Sequence, residues 1–478
     1  MSANRRHFLR QLGLGTGALS VAALPQWAKA ETPPANTPPP PTHNMSGYRA
    51  PKLNRVRVGI VGLGMRGPGA VERLSYIDGV DIVALCDLYP NRVEKMQAYL
   101  RSVNLPAAKS FSGPEGWKAL CQLNDLDLVY ITTPWQLHTP ISVYAMQQGK
   151  HAATEVPAAV SLEECWELVE TSEKTKRHCM MLENCCYDFF ELLTLNMARQ
   201  GLFGELVHAE GAYIHDLVDL NFSKTGYADM WRLKENIYRR GNPYPTHGLG
   251  PIAQCLNINR GDQFDHLTSM STNDFTMAPR AYELAAKDDF YKPFASKSYR
   301  GNMNTTLIRT LLGKTIMLQH DVSSPRPYSR IHLISGTKGM AQKWPSPQRI
   351  AFGHSWVKPE ELKQYEEQYM PEIVKKIGEM AKKVGGHGGM DFMMDWRLID
   401  CLRNGLPLDQ DVYDAALWSS VFPLSEQSVN NRSRTVDVPD FTRGAWKSNT
   451  PVNLTLEGGG NTGVRDLKKT EGKQLKVE

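Results

Sequence analysis

Residues 56–73 read VRVGIVGLGMRGPGAVER, and this stretch decides the fold. Val56, Val58 and Ile60 alternate as a strand does, and Gly62-Leu63-Gly64-Met65-Arg66-Gly67 follows at once. The order is strand, G-x-G-x-x-G, helix. In that pattern Gly62 permits a tight turn. Gly64 lets the backbone approach a pyrophosphate resting on the amides of the helix start, and Gly67 lets the helix pack close to the strand. The motif alone is a weak signal. Here a second apolar run, 80–86, ends in Asp87, about 25 residues beyond Gly62 and near the spacing of a ribose-binding acid. An acid there favours NAD over NADP, because it repels a 2′-phosphate. The plainer reading is a glycine-rich turn without a nucleotide. Strand, helix and acid together argue for the dinucleotide.

Outward from this unit, apolar runs and helical patterns alternate. Strands are predicted at 56–61, 80–86, 126–132, 151–154 and 179–182. Helices are predicted at 67–77, 91–101, 137–148 and 161–174. Such alternation means a parallel, doubly wound sheet, a Rossmann domain over 51–187, with ligands at the carboxyl ends of the strands. After about residue 188 longer alternating strands take over (206–214, 267–272, 304–311, 315–320, 330–335), with a hairpin signal at Leu312-Gly313-Lys314. These predict a second, α+β domain over 188–440 on an open, mostly antiparallel sheet. Helices at 359–383, 390–404 and 411–430 close it. Residues 441–478 read as an extension, loosely ordered from about Gly458.

The N-terminus reads as an address. Arg5-Arg6 opens a twin-arginine pattern, a short Gly/Ala-rich apolar run follows, and Ala28-Lys29-Ala30 resembles a cleavage site. The run is too short for a stable membrane anchor, since a spanning helix needs ~20 apolar residues. Residues 1–30 are therefore expected to be a signal peptide engaging the twin-arginine export machinery, and the mature protein to be periplasmic or secreted. Prolines mark 31–50 as a linker. The 478 residues, 41% hydrophobic and 22% charged, suffice for two globular domains. No basic block interleaves with aromatics, so nucleic acid is not an expected partner. A homo-oligomer is left open. The eight cysteines show no zinc spacing and are expected to be mostly free thiols, because export of a folded chain leaves folding to a reducing compartment. No metal is expected.

Three segments can carry chemistry, the first two at strand ends. Trp135-Gln136-Leu137-His138 follows the third strand, where Trp135 can stack beside a nicotinamide ribose and His138 can reach its hydroxyls. A packed tryptophan is the plainer alternative. Glu155-Val156-Pro157 follows the fourth. Its glutamate can hold the nicotinamide ribose or carboxamide, or simply favour a helix start. The third is Asn242-Pro243-Tyr244-Pro245-Thr246-His247-Gly248. Two prolines stiffen the approach to a histidine suited to general acid or base work, with the Tyr244 phenol nearby. A structural histidine remains the alternative. Arg232 can offer a cation to a substrate oxygen. His387, flanked by glycines, ranks below His247, because glycine positions a side chain poorly. No H-E-x-x-H, G-x-S-x-G or P-loop occurs.

The glycine turn, the strand-end Thr132-Thr133-Pro134 and the Glu155-Val156-Pro157 segment resemble the Gfo/Idh/MocA oxidoreductases. The strings VGIVGLGMRGPGAVER, TPWQLH, TEVP, LENCCY and NPYPTHGLGPIAQ are closer still to glycoside hydrolase family 109, over about residues 50–440. That family's members are NAD-dependent α-N-acetylgalactosaminidases. The resemblance implies that Met65, Arg66, Asp87, Trp135, Gln136, Leu137, His138, Glu155, Val156 and Asn184 bind NAD. It implies that Tyr213, Arg232, Tyr244, Pro245, Thr246, His247 and Tyr328 bind the sugar, with His247, Tyr244 and Tyr213 as acid/base candidates. Two departures from the wider superfamily stand out. Its hydride-assisting lysine is Val156 here, and its aspartate near the histidine is missing. Both are shared with family 109.

The resemblance further implies a redox-neutral glycosidase. Oxidation at the 3-hydroxyl carbon acidifies the neighbouring proton. The aglycone leaves by elimination, water adds, and the hydride returns. NAD-dependent families are exceptions to two-carboxylate glycosidase chemistry. An exported sugar oxidoreductase and a non-catalytic, NAD-holding sugar-binding protein remain the alternatives.

Overall fold

The computed structural model describes residues 43–467. The expected signal peptide, the expected linker up to residue 42 and the tail from 468 lie outside the described residues.

Strands β1 (Val56–Val61), β2 (Val80–Asp87), β3 (Lys109–Ser112), β4 (Leu128–Ile131), β5 (His151–Thr154) and β6 (Cys179–Met181) form one sheet in the order β3-β2-β1-β4-β5-β6. Every pair is parallel. Helices α1 (Gly67–Tyr76), α2 (Pro90–Ser102), α3 (Gly116–Cys121), α4 (His138–Gln147) and α5 (Leu162–Thr175) make the crossovers. The expected doubly wound fold is present, and strand order reverses between β1 and β4, where a ligand crevice opens. Alternation along β1 serves both faces. Val56, Val58 and Ile60 pack with Val71 and Leu74 of α1, while Val61 joins Leu120, Val129 and Ile141 on the other side. The sequence reading missed β3 and α3. β3 is a four-residue, largely exposed edge strand and leaves no apolar alternation to detect.

The second sheet has nine strands: β7 (Leu206–Ile214), β8 (Phe264–Ser271), β9 (Asn304–Thr310), β10 (Thr315–Asp321), β11 (Leu333–Gly336), β12 (Met340–Gln342), β13 (Arg349–Phe352), β14 (Ser355–Trp356) and β15 (Val436–Asp437). Their order is β14-β13-β12-β11-β7-β10-β9-β8-β15. β7 and β10 run parallel and the other neighbours antiparallel. The strand predicted at 330–335 begins only at Leu333, because Ile331 and His332 take positive φ angles of 60° and 45°.

The remaining helices are α6 (Phe189–Arg199), α7 (Val218–Phe222), α8 (Trp231–Tyr238), α9 (Thr246–Cys255), α10 (Met277–Ala285), α11 (Lys292–Ala295), α12 (Pro359–Tyr369), α13 (Glu372–Val384), α14 (Met390–Asn404) and α15 (Val412–Asn430). The single helix predicted over 359–383 is two. Pro371 disfavours helical backbone at Met370, which is extended, and α13 restarts after it. α14 packs on α1, and α15 lies against both α5 and β8, so the last helices join the two sheets. No helix among the described residues is long and apolar enough to cross a membrane. All eight cysteines are buried and unpaired.

Two stretches expected to be loose are packed. Residues 43–50 carry buried Met45, whose amide donates to the Tyr413 hydroxyl at 3.2 Å. Residues 458–467 form a strap over α14. The Gly460 amide and the Thr462 hydroxyl each donate to the buried Asp400 carboxylate at 2.8 Å, and Trp396 Nε1 donates to Thr462 O at 3.1 Å. A Cβ on Gly459 would lie 2.6 Å from Asp400 Oδ2. The glycines that suggested looseness permit this close approach instead.

Candidate active site

The turn after β1 is built by its glycines. Gly62 has φ +93°, and a Cβ on it would lie 2.7 Å from the Thr132 backbone. A Cβ on Gly67 would stand 2.1 Å from Gly62 O. At Gly64 the only atom within 4 Å of such a Cβ is Arg92 Nη1, at 3.6 Å, so its face is open. Asp87 is buried, with Oδ2 accepting from Leu63 N at 2.6 Å and Oδ1 from Tyr89 N at 2.9 Å. The acid at the end of β2 is thus fixed against the turn after β1. Thr133 Oγ1, at the end of β4, is buried without a protein partner. An open glycine cradle, an anchored carboxylate and an orphaned hydroxyl fit the phosphate and ribose groups of a dinucleotide.

The other residues implied for the cofactor fall into different settings. Arg66 Nε donates to Glu155 Oε1 at 2.8 Å, and Arg66 Nη1 to Asp391 Oδ2 at 3.2 Å. Asn184 Nδ2 donates to Asp391 Oδ1. Arg66, Glu155 and Asn184, from three strand ends, therefore form one network. Its hub, the fully buried Asp391 on the first turn of α14, was not foreseen. Burial would raise the Asp391 carboxyl, but His387, Arg66 and Arg73 hold it far below the ordinary carboxylate range. Met65, Gln136 and Leu137 are exposed and Val156 is buried. Trp135 is buried, roughly parallel to Tyr244 at 5.7 Å between ring centres.

One expectation is corrected. His138 does not face a ribose. Its Nδ1 lies 2.7 Å from Pro157 O and its Nε2 2.8 Å from Thr133 O, and the side chain is buried. Two carbonyls at neighbouring strand ends occupy both ring nitrogens, so His138 staples the loops together.

The residues implied for the sugar converge. Tyr213 is the last but one residue of β7, and His247 lies on the first turn of α9, which Thr246 begins after Tyr244 and Pro245. Ring centres of Tyr213 lie 4.7 Å from Tyr244, 5.4 Å from His247 and 6.2 Å from Tyr328. Glycines set this spacing. A Cβ on Gly248 would be 2.3 Å from Ala212 N, and one on Gly211 would be 2.3 Å from Gly248 O. α9 therefore lies directly on β7. The Arg232 guanidinium sits 4.8 Å from the Tyr244 ring centre, and Nη1 donates to the Tyr227 hydroxyl at 2.9 Å. Burial would lower the Arg232 pKa, but the surrounding tyrosines keep it above its ordinary value. Burial, then Tyr213, pushes the Tyr244 phenol well above its usual range, against the pull of Arg232. Tyr244 holds its proton at neutral pH.

The residue that sequence reasoning missed here is Glu183. It is fully buried at the end of β6, and His247 Nδ1 lies 2.8 and 3.0 Å from its two carboxylate oxygens. Burial would raise this carboxyl, but the charge and hydrogen bond of His247 outweigh it and hold it below the ordinary value. The Cys185 amide also donates to it, at 3.0 Å. A Cβ on Gly250 would be 2.9 Å from Glu183 Cγ, so the second glycine after His247 makes room for this carboxylate. Cys185 Sγ stands close enough to complete a three-ligand group. Burial pushes that thiol well above its usual range. Glu183 and Asn184 are consecutive. One reaches the histidine, the other the cofactor network.

Asp87→Ala is expected to loosen the dinucleotide, with lost charged hydrogen bonds worth roughly 1.5–3 kcal/mol each. Equilibrium dialysis against NAD checks this, and an unchanged affinity contradicts it.

Comparison with known proteins matches residues 56–183 to the family "Oxidoreductase family, NAD-binding Rossmann fold" and residues 187–448 to "Glycosyl hydrolase 109, C-terminal domain". A "Glycosyl hydrolase family 109 protein 1" of Bacteroides fragilis is 48% identical over 452 residues, covering 91% of this chain and 96% of its own. An "Alpha-N-acetylgalactosaminidase" of the same species is 51% identical over 416 residues, 86% of this chain and 97% of its own. Among solved structures, a levoglucosan dehydrogenase in complex with NADH and levoglucosan superposes with TM-score 0.61 over 80% of this chain and all of its own. At 17% identity, that likeness is one of fold.

Proposed function

The chain belongs to glycosyl hydrolase family 109, a glycosidase on an NAD-binding oxidoreductase fold, and from this we propose that it removes terminal α-N-acetylgalactosamine from glycans with no net redox change. The relative named for that activity supports the substrate. The observation that carries the mechanism is the buried Glu183–His247 pair, one residue along the chain from the cofactor network.

Bound NAD supplies a reversible hydride acceptor for the sugar carbon bearing the 3-hydroxyl. The protein's own residues manage the protons. With Nδ1 committed to Glu183, His247 presents Nε2 to the substrate as the base. Glu183 orients the ring and stabilises the imidazolium that forms, as a carboxylate behind a catalytic histidine does. Tyr244 holds its proton, so it suits the acid that assists a leaving oxygen. Arg232 keeps its charge beside Tyr244 and draws a sugar oxygen into place. Val156, apolar and buried, can relay no proton at a position where dehydrogenase relatives carry lysine, which supports the hydrolase over a net oxidoreductase. Protein purified without added cofactor, given an aryl α-N-acetylgalactosaminide, should release the aryl group with no accumulating NADH absorbance. Sugar oxidation without cleavage contradicts the reading.

We also propose export in the folded state by the twin-arginine route, on the strength of Arg5-Arg6 and Ala28-Lys29-Ala30. A cofactor must then be loaded before export and kept. Changing both arginines to lysine is expected to strand precursor in the cytoplasm; unchanged periplasmic activity argues against the route.

A further inference from the structure

The run Gly385-Gly386-His387-Gly388-Gly389 takes no part in the chemistry above, yet it borders it. It joins α13 to α14, and all five residues have positive φ, between 48° at His387 and 108° at Gly389. Four glycines tolerate this; the histidine is held there by its contacts. His387 Nδ1 lies 2.9 Å from Asp391 Oδ2 and 3.2 Å from Arg66 Nη1. Its side chain remains 55% exposed, while Asp391 is fully buried. One buried carboxylate thus gathers Arg66 of the glycine turn, Asn184 beyond β6, and His387. A carboxylate facing Nδ1 selects the tautomer with its proton there, so Nε2 is the nitrogen left for a ligand. Arg66 in turn donates through Nε to Glu155, the strand-end residue implied for the nicotinamide ribose, at 2.8 Å. The His387 ring therefore borders that side of the cofactor network. A glycine-rich hinge carrying one anchored side chain is suited to open and reclose over a bound molecule.

We propose that loop 385–389 is a latch over the nicotinamide-side half of the dinucleotide, and that His387 is a further cofactor-binding residue whose Nε2 meets the ribose hydroxyls of that half. Asp391 is its positioning residue. The proposal rests on NAD as the resident cofactor. It gives an exported enzyme a means of keeping a molecule that is scarce outside the cytoplasm.

The test is the release of bound NAD from purified holoenzyme into an excess of an NAD-consuming trap enzyme. His387→Ala is expected to release NAD at least tenfold faster than the parent protein, with an unchanged far-UV spectrum. His387→Gln, whose amide can still bond a hydroxyl, should recover part of the retention. Release from His387→Ala within twofold of the parent overturns the latch. So does a raised KM for the sugar with unchanged NAD release, which would make His387 a substrate contact. A parent protein that carries no dinucleotide overturns the cofactor reading and the latch together; a parent that carries it while the variant holds it equally long overturns the latch alone.

Discussion

His247→Ala is expected to lower turnover by about two to four orders of magnitude, the range of a lost acid/base group, while the protein keeps its NAD. The cofactor network runs through Asn184 and Asp391 and does not include His247. Glu183→Gln should cost less. Its amide keeps a hydrogen-bonding group beside Nδ1 but loses the charge that supports the imidazolium. A charged hydrogen bond is worth roughly 1.5–3 kcal/mol, or about 10- to 150-fold in rate. Steady-state kinetics with the dinucleotide content of each variant checks both. If His247→Ala turns over near the parent rate, the histidine is structural. If Glu183→Gln is as active as the parent, the pair has no catalytic meaning.

Gly67→Ala is expected to abolish NAD retention. The new methyl would sit 2.1 Å from Gly62 O, a backbone atom that no side-chain rotation can clear. α1 must then move off β1, taking the amides of Met65 and Arg66 with it. Overpacking of this kind costs about 1–3 kcal/mol, occasionally more. Gly64→Ala is the informative contrast. Its methyl meets only the far end of Arg92, 3.6 Å away, so the fold and its melting temperature should persist. It projects into the face left open for the pyrophosphate, and the dinucleotide should be lost all the same. Full NAD content in purified Gly67→Ala contradicts this account of the turn.

The parallel sheet and its turn were legible because their demands are local. A tight turn, a close helix and a strand-end acid each constrain neighbouring residues. The rigid approach to His247 was legible for the same reason. Glu183 and Asp391 were not, since their meaning lies in contacts across 64 and 325 residues of chain. Glu183 adjoins Asn184 just past a predicted strand, but nothing local tells a buried carboxylate with a partner from one capping a turn. Its carboxylate reaches His247 from the end of the parallel sheet, not from the residues beside the histidine. His138 shows the opposite failure. Its place at a strand end suggested a ligand, yet the ring is turned inward, with both nitrogens close to loop carbonyls. The glycines near residue 459 were read as looseness, and those after His247 carried no reading of their own. In the structure they mark surfaces pressed together.

The most direct test of a redox-neutral hydrolysis that uses NAD is cleavage of an aryl α-N-acetylgalactosaminide in deuterium oxide. The account predicts that the released sugar carries deuterium on carbon 2, between the anomeric carbon and the carbon bearing the 3-hydroxyl, while bound NAD shows no net reduction. Released sugar without deuterium at that carbon would contradict it.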